Sequence, residues 1–194
     1  MPRVRSSVFV RDVPMRPLSD FGDRIMVLGP SNAGKSTLAL AIADRLSLPV
    51  VHLDRLQHLP NTDWQPRPEA EFKALHDKAI LEEKWVMDGN YSRLMPARIE
   101  RATGVILLTS NRWLRLARYL KRSMSPAEMR AGALEGGAEY VKWEMIDWIL
   151  FKTPRNSLKY AQMMERVTVP THHCRNIADL KQLYRCWDLQ VQRD

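Results

Sequence analysis

Residues 29–37 read GPSNAGKST, and this stretch decides how the chain folds. Gly29, Gly34, Lys35 and Ser36 satisfy the pattern G-x-x-x-x-G-K-[ST]. The two glycines permit backbone torsions that a side chain would block, so consecutive amides can turn inward around a phosphate. Lys35 can reach the outer phosphates of a nucleotide, and the Ser36 hydroxyl can bind Mg²⁺. The stretch therefore predicts a phosphate-binding loop.

The sequence on either side of the loop supports this interpretation. Residues 25–28 form a short apolar run typical of a buried parallel strand, and apolar residues recur at helical spacing from Leu38 to Leu46. Strand, loop and helix are the context that the pattern requires, which favours a phosphate loop over a chance match in a turn. We expect bound ATP to contact the loop residues Gly29, Ser31, Asn32, Ala33, Gly34, Lys35, Ser36 and Thr37.

Strands and helices alternate along most of the remaining chain. Further strands are predicted at residues 50–53, 85–87, 105–108 and 167–169, and helices at residues 69–83, 94–101 and 177–187. Phe72, Leu75, Ala79 and Ile80 form the predicted inward face of the helix over residues 69–83. Residues 112–166 are almost entirely helical in pattern and predict a helical lid at about residues 120–160. The fold class is therefore α/β, a P-loop NTPase with a five-stranded parallel sheet, helices on both faces and a helical lid.

The two ends of the chain differ in composition. Residues 1–23 are polar and basic and contain Pro2, Pro14 and Pro17, which predicts an arm outside the core. Residues 24–194 are predicted to form one P-loop kinase-like domain. Two cysteines are too few for a disulfide framework, and no apolar run has the length of a membrane span. These features predict a cytoplasmic protein that makes no membrane contact.

The formal net charge of +8 is compatible with nucleic acid, an anionic membrane or small phosphates as partners. The basic residues are spread along the chain, without the aromatic pattern of a single-strand-binding sheet or the spacing of a zinc finger. Nucleic-acid binding is therefore an open but not a favoured interpretation.

Two acidic residues follow predicted strands. Asp88 comes directly after residues 85–87 and Asp54 after residues 50–53, which would place both carboxylates at the carboxyl edge of the sheet. Asp88 is a candidate for the magnesium site together with Ser36, or a turn residue before Gly89. Asp54 could accept a proton from an acceptor hydroxyl, anchor the acceptor, or cap a helix or loop. His52 is interpreted as a packed core histidine.

The region after residue 111 adds charged and apolar clusters. Arg115, Arg118 and Arg122 share one helical face, which is either solvated or supplies charge to a transferring phosphate when a lid closes. Apolar and aromatic residues from Trp143 to Phe151 are interpreted as packing within the lid rather than as a partner surface. THHC at residues 171–174 lacks a second ligand pair at suitable spacing, so a zinc site is not favoured.

With these residues in hand, the chain resembles the adenylate-kinase-like P-loop kinases, most closely the group of DNA topology modulation proteins. The resemblance runs from about Arg24 to Trp187. It rests on GPSNAGKST, on VVHLDRL followed by a proline-rich loop with Trp64, on WVMDGNYS at residues 85–92, and on RWLRLARYLKR at residues 112–122. WVMDGNYS is the specific piece.

The resemblance implies a parallel sheet of nucleoside-monophosphate-kinase type and Mg-ATP bound at Lys35 and Ser36, with Asp88 on the magnesium side. It implies a lid carrying Arg118 and Arg122, and an adenine-side loop at residues 173–176 that includes Arg175. It also implies an acceptor pocket formed by Asp54, Asn90, Tyr91, Arg93 and Arg98.

Three hypotheses follow. The leading one is an ATP-dependent phosphotransferase that moves the γ-phosphate to a small-molecule or nucleotide acceptor, with Lys35, Asp54, Arg118 and Arg122 as its catalytic residues. The second is an ATP-binding regulator that binds nucleic acid and influences DNA topology, and the third is a nucleotide binder without catalysis. The sequence leaves the acceptor and the oligomeric state open.

Overall fold

The computed structural model describes residues 15–123 and 141–191, apart from the side chains of Arg122 and of residues 153–158. Its centre is a sheet of five parallel strands in the order β2-β3-β1-β4-β5. The strands are β1 (Arg24–Leu28), β2 (Val50–His52), β3 (Trp85–Asp88), β4 (Gly104–Leu108) and β5 (Thr171–Cys174). The predicted five-stranded parallel sheet is confirmed.

Helices connect these strands. They are α1 (Lys35–Leu46), α2 (Leu53–Gln57), α3 (Glu69–Leu81), α4 (Met95–Arg101), α5 (Arg112–Ser123), α6 (Trp143–Asp147), α7 (Thr153–Met164) and α8 (Ile177–Cys186). A π-helical turn at Trp148–Lys152 joins α6 to α7. None of the helices in the described ranges combines the length and apolar character needed to cross a membrane.

Both faces of the sheet are buried, which explains the continuous apolar strands. Alternate residues of β1 enter different clusters: Ile25 and Val27 pack with α1 and α8, whereas Met26 and Leu28 pack on the opposite face. Successive side chains of a strand point to opposite faces, so a strand covered on both sides must be apolar throughout. All five residues of β4 are buried for the same reason.

The last strand is not where the sequence predicted it. Residues 167–169 lie outside any strand, and β5 begins four residues after Val167, at Thr171. Val167 and Val169 instead pack against the core cluster beneath the sheet. β5 lies at the sheet edge, pairs only with β4 and is half-buried except for Cys174, so it tolerates the polar sequence THHC. The predicted strand at 167–169 is wrong, and THHC is a structural element.

β2 is shorter than the predicted strand, and the buried face of α3 differs from the predicted one. β2 ends at His52, and Leu53 and Asp54 already belong to α2. In α3 the buried residues are Phe72, His76 and Ile80, at four-residue spacing, whereas Leu75 is exposed. The prediction that Leu75 faces inward is wrong because His76 occupies the buried stripe.

The fold begins before Arg24. A 3₁₀ turn at Leu18–Phe21 buries both of its terminal side chains, and Phe21 packs edge-on against Trp187 at 5.1 Å between ring centroids. Trp187 Nε1 donates to the carbonyl of Arg16 at 2.9 Å. The predicted arm over residues 1–23 is therefore wrong for residues 16–21, and residues 1–14 lie outside the described part.

The lid region is less packed than predicted. Ile149 is fully buried, but Trp143 is 80% exposed and Phe151 is 67% exposed. The interpretation of these two aromatic residues as internal packing is wrong. Residues 124–140 of the predicted lid lie outside the described residues.

Phe21→Ala tests whether the first turn belongs to the core. Because Phe21 is fully buried against Trp187, we expect the free energy of unfolding to fall by about 3–5 kcal/mol. Denaturant titration followed by circular dichroism measures it. Leu81→Ala is the control, because Leu81 is 68% exposed and should change stability by less than about 0.5 kcal/mol. Equal, small effects of both substitutions would show that residues 18–21 form an arm.

His76 predicts a pH dependence of stability. Burial lowers the pKa of His76 below its ordinary value of 6.5, so the unfolded chain binds the proton more readily than the folded one. The free energy of unfolding should therefore fall as the pH drops below about 6.5. His172 and His173, whose pKa values burial also lowers, act in the same direction. Unfolding at pH 7.5 and 5.5 should differ less for His76→Leu than for the wild type, and an unchanged difference contradicts the assignment.

Candidate functional site

The phosphate loop connects β1 to α1 through residues with positive φ. Gly29 has φ of 144°, Asn32 of 61° and Gly34 of 99°. A Cβ atom on Gly29 would lie 2.4 Å from the carbonyl oxygen of Leu108 in β4, so only glycine fits there. The loop ends at the first turn of α1, where unpaired amides and the helix dipole favour an anion. The structural context that the motif requires is present.

Two cations lie at this loop. Lys35 Nζ donates to the carbonyl of Pro30 at 3.1 Å. Arg118 reaches across from α5 and donates through Nη1 to the carbonyl of Ala33 at 3.2 Å. Two positive side chains from separate helices thus flank the turn in which a triphosphate would bind. The side chain of Arg122 lies outside the described part of the structure.

Ser36, Asp88 and His52 form a hydrogen-bonded chain at the edge of the sheet. The Ser36 hydroxyl donates to Asp88 Oδ2 at 2.5 Å, and His52 Nδ1 lies 2.8 Å from Asp88 Oδ1. Strand pairing brings this about, because His52 of β2 is the register partner of Asp88 of β3. His52 is buried as predicted, but it also has a chemical partner that the sequence did not reveal.

Asp88 is held as a carboxylate. Burial alone would raise its pKa, but the hydrogen bond and charge of His52, the Ser36 hydroxyl and the charge of Lys35 together bring the pKa below its ordinary value. An ionised carboxylate only accepts hydrogen bonds, so His52 Nδ1 is the donor in their contact. Carboxylate and hydroxyl oxygens are the hard ligands that Mg²⁺ prefers, so Ser36 and Asp88 fit a magnesium ion.

Asp54 lies in the first turn of α2 and lines the same cleft as Lys35 and Ser36. Its Oδ1 accepts a hydrogen bond from the Tyr91 hydroxyl at 2.6 Å. Burial, reinforced by the negative charge of Asp54, raises the pKa of Tyr91, so the phenol stays protonated and donates. Asp54 was predicted at a strand end and belongs instead to a helix, but it still points into the cleft.

A turn at residues 89–91 connects the two aspartates to the phosphate loop. The Asn90 amide makes two hydrogen bonds to the backbone of Gly29, accepting from its nitrogen at 3.1 Å and donating to its oxygen at 2.9 Å. The next residue, Tyr91, has φ of 39° and carries the hydroxyl that binds Asp54. One turn therefore fixes both the start of the loop and the orientation of Asp54.

Arg98 stabilises this turn through hydrogen bonds to its main chain. It is fully buried and donates to the carbonyls of Gly89 at 2.9 Å, of Asn90, and of Tyr91 at 3.3 Å. Burial lowers the pKa of Arg98 to about 10, which leaves it charged at neutral pH. Arg98 does not line the cleft, which corrects its predicted role as an acceptor ligand: its guanidinium is occupied by main-chain oxygens.

Three further arginines differ from expectation. Arg93 is 83% exposed, pairs with Glu69 at 2.7 Å and does not line the cleft, and its acceptor role stays a prediction. Arg115 is buried and donates to the carbonyl of Ile149 at 3.0 Å, so it joins α5 to the turn after α6 instead of sharing a solvated face with Arg118. Arg175 does not line the cleft, and its main-chain nitrogen donates to Asp179 at 2.8 Å.

The cleft has a volume of about 1520 Å³ and extends to both sides of the phosphate loop. The loop contributes Ser31, Asn32, Gly34, Lys35, Ser36 and Thr37. On the α8 side the wall is formed by Ile177, Leu180, Lys181, Tyr184 and Leu189. On the α2 side it is formed by Asp54, His58, Trp64, Lys142 and Met145. The sequence did not single out His58, Lys142 or the role of Trp64, because they lie in a loop and a helix start without a motif.

Arg98→Met tests the support of the turn. The substitution keeps an apolar stem of similar length but removes the donors to three main-chain carbonyls, so we expect a loss of about 2–4 kcal/mol in the free energy of unfolding and weaker Mg-ADP binding. Arg93→Met is the matched control five residues away, and its exposed ion pair should matter by less than about 0.5 kcal/mol. Denaturant unfolding and calorimetric titration with Mg-ADP measure both effects. Arg98→Met with wild-type stability and affinity would contradict the assignment.

Part of the chain is similar to a known protein family. A family model described as isopentenyl transferase matches residues 23–91, less than half of the chain. This span includes the phosphate loop, Asp54 and Asp88. A search of curated protein sequences finds no significant match.

The fold is shared with solved structures, among them the following two. One is a shikimate kinase from Acinetobacter baumannii in complex with shikimate, with 17% identity, coverage of 89% of this chain and 98% of that chain, and a TM-score of 0.51. The other is a candidate kinase from Chloroflexus aurantiacus J-10-fl, with 15% identity, coverage of 83% and 95%, and a TM-score of 0.51. At such identity the likeness shows the fold alone. The chain has a P-loop kinase-like fold.

Proposed function

We propose that the protein is an ATP-dependent phosphotransferase that moves the γ-phosphate of ATP to a hydroxyl group of a small molecule. The observation that carries this proposal is the meeting of three groups in one cleft. These are a glycine-built phosphate loop with Lys35, the Ser36 hydroxyl with the buried Asp88 hydrogen-bonded behind it, and the carboxylate of Asp54. Phosphoryl transfer requires a phosphate cradle, a metal site and a group that orients the nucleophile.

In this proposal the phosphate loop and its two cations bind the triphosphate. Loop amides contact the phosphates, and Lys35 and Arg118 offset the charge that spreads over the transferring group. Ser36 and Asp88 would hold Mg²⁺, which when bound neutralises charge on the β- and γ-phosphates. His52 keeps Asp88 ionised and oriented.

Asp54 is proposed to orient the acceptor hydroxyl and receive its proton. As the hydroxyl oxygen forms a bond to the γ-phosphorus, the bond between that phosphorus and the bridging oxygen breaks and ADP leaves. The proton passes to the carboxylate of Asp54. The hydrogen bond from Tyr91 uses Oδ1, which orients the carboxylate and leaves Oδ2 to take the proton.

The resemblance to the DNA topology modulation proteins is the finer part of this proposal and rests on the motifs quoted above. A nucleic-acid-binding regulator is not favoured by the arginine-rich helix. Arg112, Arg115 and Arg118 of α5 all donate to main-chain carbonyls of the chain itself. Arg115 is therefore committed to an internal contact and Arg118 faces the phosphate loop, whereas phosphate backbones are bound by side chains that reach outward.

Asp54→Asn and Lys35→Met separate transfer from binding. A screen of nucleosides, monophosphates, sugars and hydroxy acids for ADP release identifies an acceptor. With it, Asp54→Asn should lower kcat about 100-fold or more while Mg-ATP affinity stays near that of the wild type. Lys35→Met should lose turnover and weaken nucleotide binding, because its ammonium contacts the phosphates.

Asp77→Asn is the matched control for this experiment. Asp77 is a surface carboxylate of α3 that pairs with Lys73 and does not line the cleft. We expect the Asp77→Asn variant to transfer phosphate at the wild-type rate. If Asp54→Asn also transfers at the wild-type rate, Asp54 is not the group that activates the acceptor.

A further inference from the structure

The loop between α2 and α3 holds one aromatic residue in an unfavourable backbone conformation. Trp64 has φ of 57°, in the left-handed region that bulky residues rarely adopt. The loop is tied by hydrogen bonds from Leu59 N to the Gln65 carbonyl at 2.9 Å and from Arg67 N to the Gln57 carbonyl at 2.7 Å. Such a conformation costs free energy and persists only where the surroundings impose it, so it points to a role for the side chain.

Trp64 and Asp54 both line the cleft, and His58 connects them, because its Nδ1 donates to the main-chain carbonyl of Asp54 at 2.9 Å. Trp64 packs edge-on against His58, with ring centroids 5.2 Å apart and an angle of 75° between the rings. His58 and Asp54 line the cleft with it. Both rings are half-buried and border a space of molecular size, so the α2 side of the cleft offers an aromatic surface next to a carboxylate.

Three basic residues of the predicted acceptor region and of this cleft wall have partners within the protein. Arg98 is buried and binds main-chain carbonyls, and Arg93 pairs with Glu69. Lys142, which lines the cleft, donates to both carboxylate oxygens of Asp63 at 3.1 Å. A phosphate group on the acceptor would compete with Glu69 for Arg93 or with Asp63 for Lys142, whereas a planar ring meets an aromatic wall that is already formed.

We propose that this part of the cleft is a subsite for an unphosphorylated compound that carries both a planar ring and a hydroxyl group. The ring packs against Trp64, and the hydroxyl group faces the carboxylate of Asp54. Binding of the ring compound does not require phosphate transfer. The designation of the subsite as the acceptor site, however, rests on the proposed phosphotransferase activity.

The test measures binding of defined probes by calorimetry in the presence of Mg²⁺ and a non-hydrolysable ATP analogue. The ring probes are uridine, pyridoxine and 4-hydroxybenzyl alcohol, the acyclic probe is gluconate, and uridine monophosphate tests the phosphate. We expect at least one ring probe to bind, and Trp64→Ala to weaken it about 10-fold or more, the size of one lost stacking contact. Trp64→Phe should restore most of the affinity.

Two further variants separate recognition from folding. Trp64→Gly removes the ring and also relieves the positive φ, so it should lose ring binding while its unfolding midpoint stays equal to or above that of the wild type. Trp143→Ala removes an exposed tryptophan that does not line the cleft and should leave probe binding unchanged.

Three results would overturn the subsite. They are the absence of binding by every ring probe, equal binding of a ring probe to the wild type and Trp64→Gly, and uridine monophosphate binding more than about 10-fold tighter than uridine. The subsite and the activity can fail separately. If a ring probe requires Trp64 for binding but receives no phosphate, the subsite stands and its assignment as the acceptor site fails. If the wild type and Trp64→Gly transfer phosphate to gluconate equally well, the proposed phosphotransferase activity stands and the subsite fails.

Discussion

One buried guanidinium supports both halves of the candidate site. Arg98 binds the carbonyls of three consecutive residues, and the turn that it holds carries Asn90 against Gly29 and Tyr91 against Asp54. A hydrogen bond from a charged donor is stronger in the protein interior than in water. Removal of the Arg98 side chain would leave these carbonyl oxygens without that donor. The distance between the phosphate loop and the candidate base is thus set by a residue that does not line the cleft.

The features that the sequence predicted are those that a single strand or loop specifies by itself. The apolar run at residues 25–28 predicts β1 because both faces of a central strand must be covered, as Ile25 on one face and Met26 on the other show. The glycines of the phosphate loop are equally readable, since the backbone approach between Gly29 and Leu108 excludes any side chain. For these elements, local pattern and global fold impose the same requirement.

The features that escaped prediction depend on partners distant in the chain. β5 is polar and half-buried because it lies at the edge, and a sequence does not state the order of strands. The partners of Arg98 and Arg115 are main-chain carbonyls, which every residue possesses, so no residue pattern distinguishes a structural arginine from one that binds substrate. His52 escaped for a related reason: its role is visible only once β2 and β3 pair in register and bring Asp88 opposite.

The distribution of unfavourable backbone conformations separates the two sides of the cleft. In the phosphate loop, positive φ angles fall on Gly29, Gly34 and Asn32, residue types that adopt them at little cost. On the other side they fall on Trp64 and Tyr91, where glycine would relieve the backbone but remove an aromatic side chain. Among the described residues, these are the two aromatic side chains with positive φ, and one lines the cleft while the other binds Asp54. Because the phosphate side is built from torsions that glycine supplies in any chain with this loop, we expect the selectivity of the proposed transferase to arise on the aromatic side.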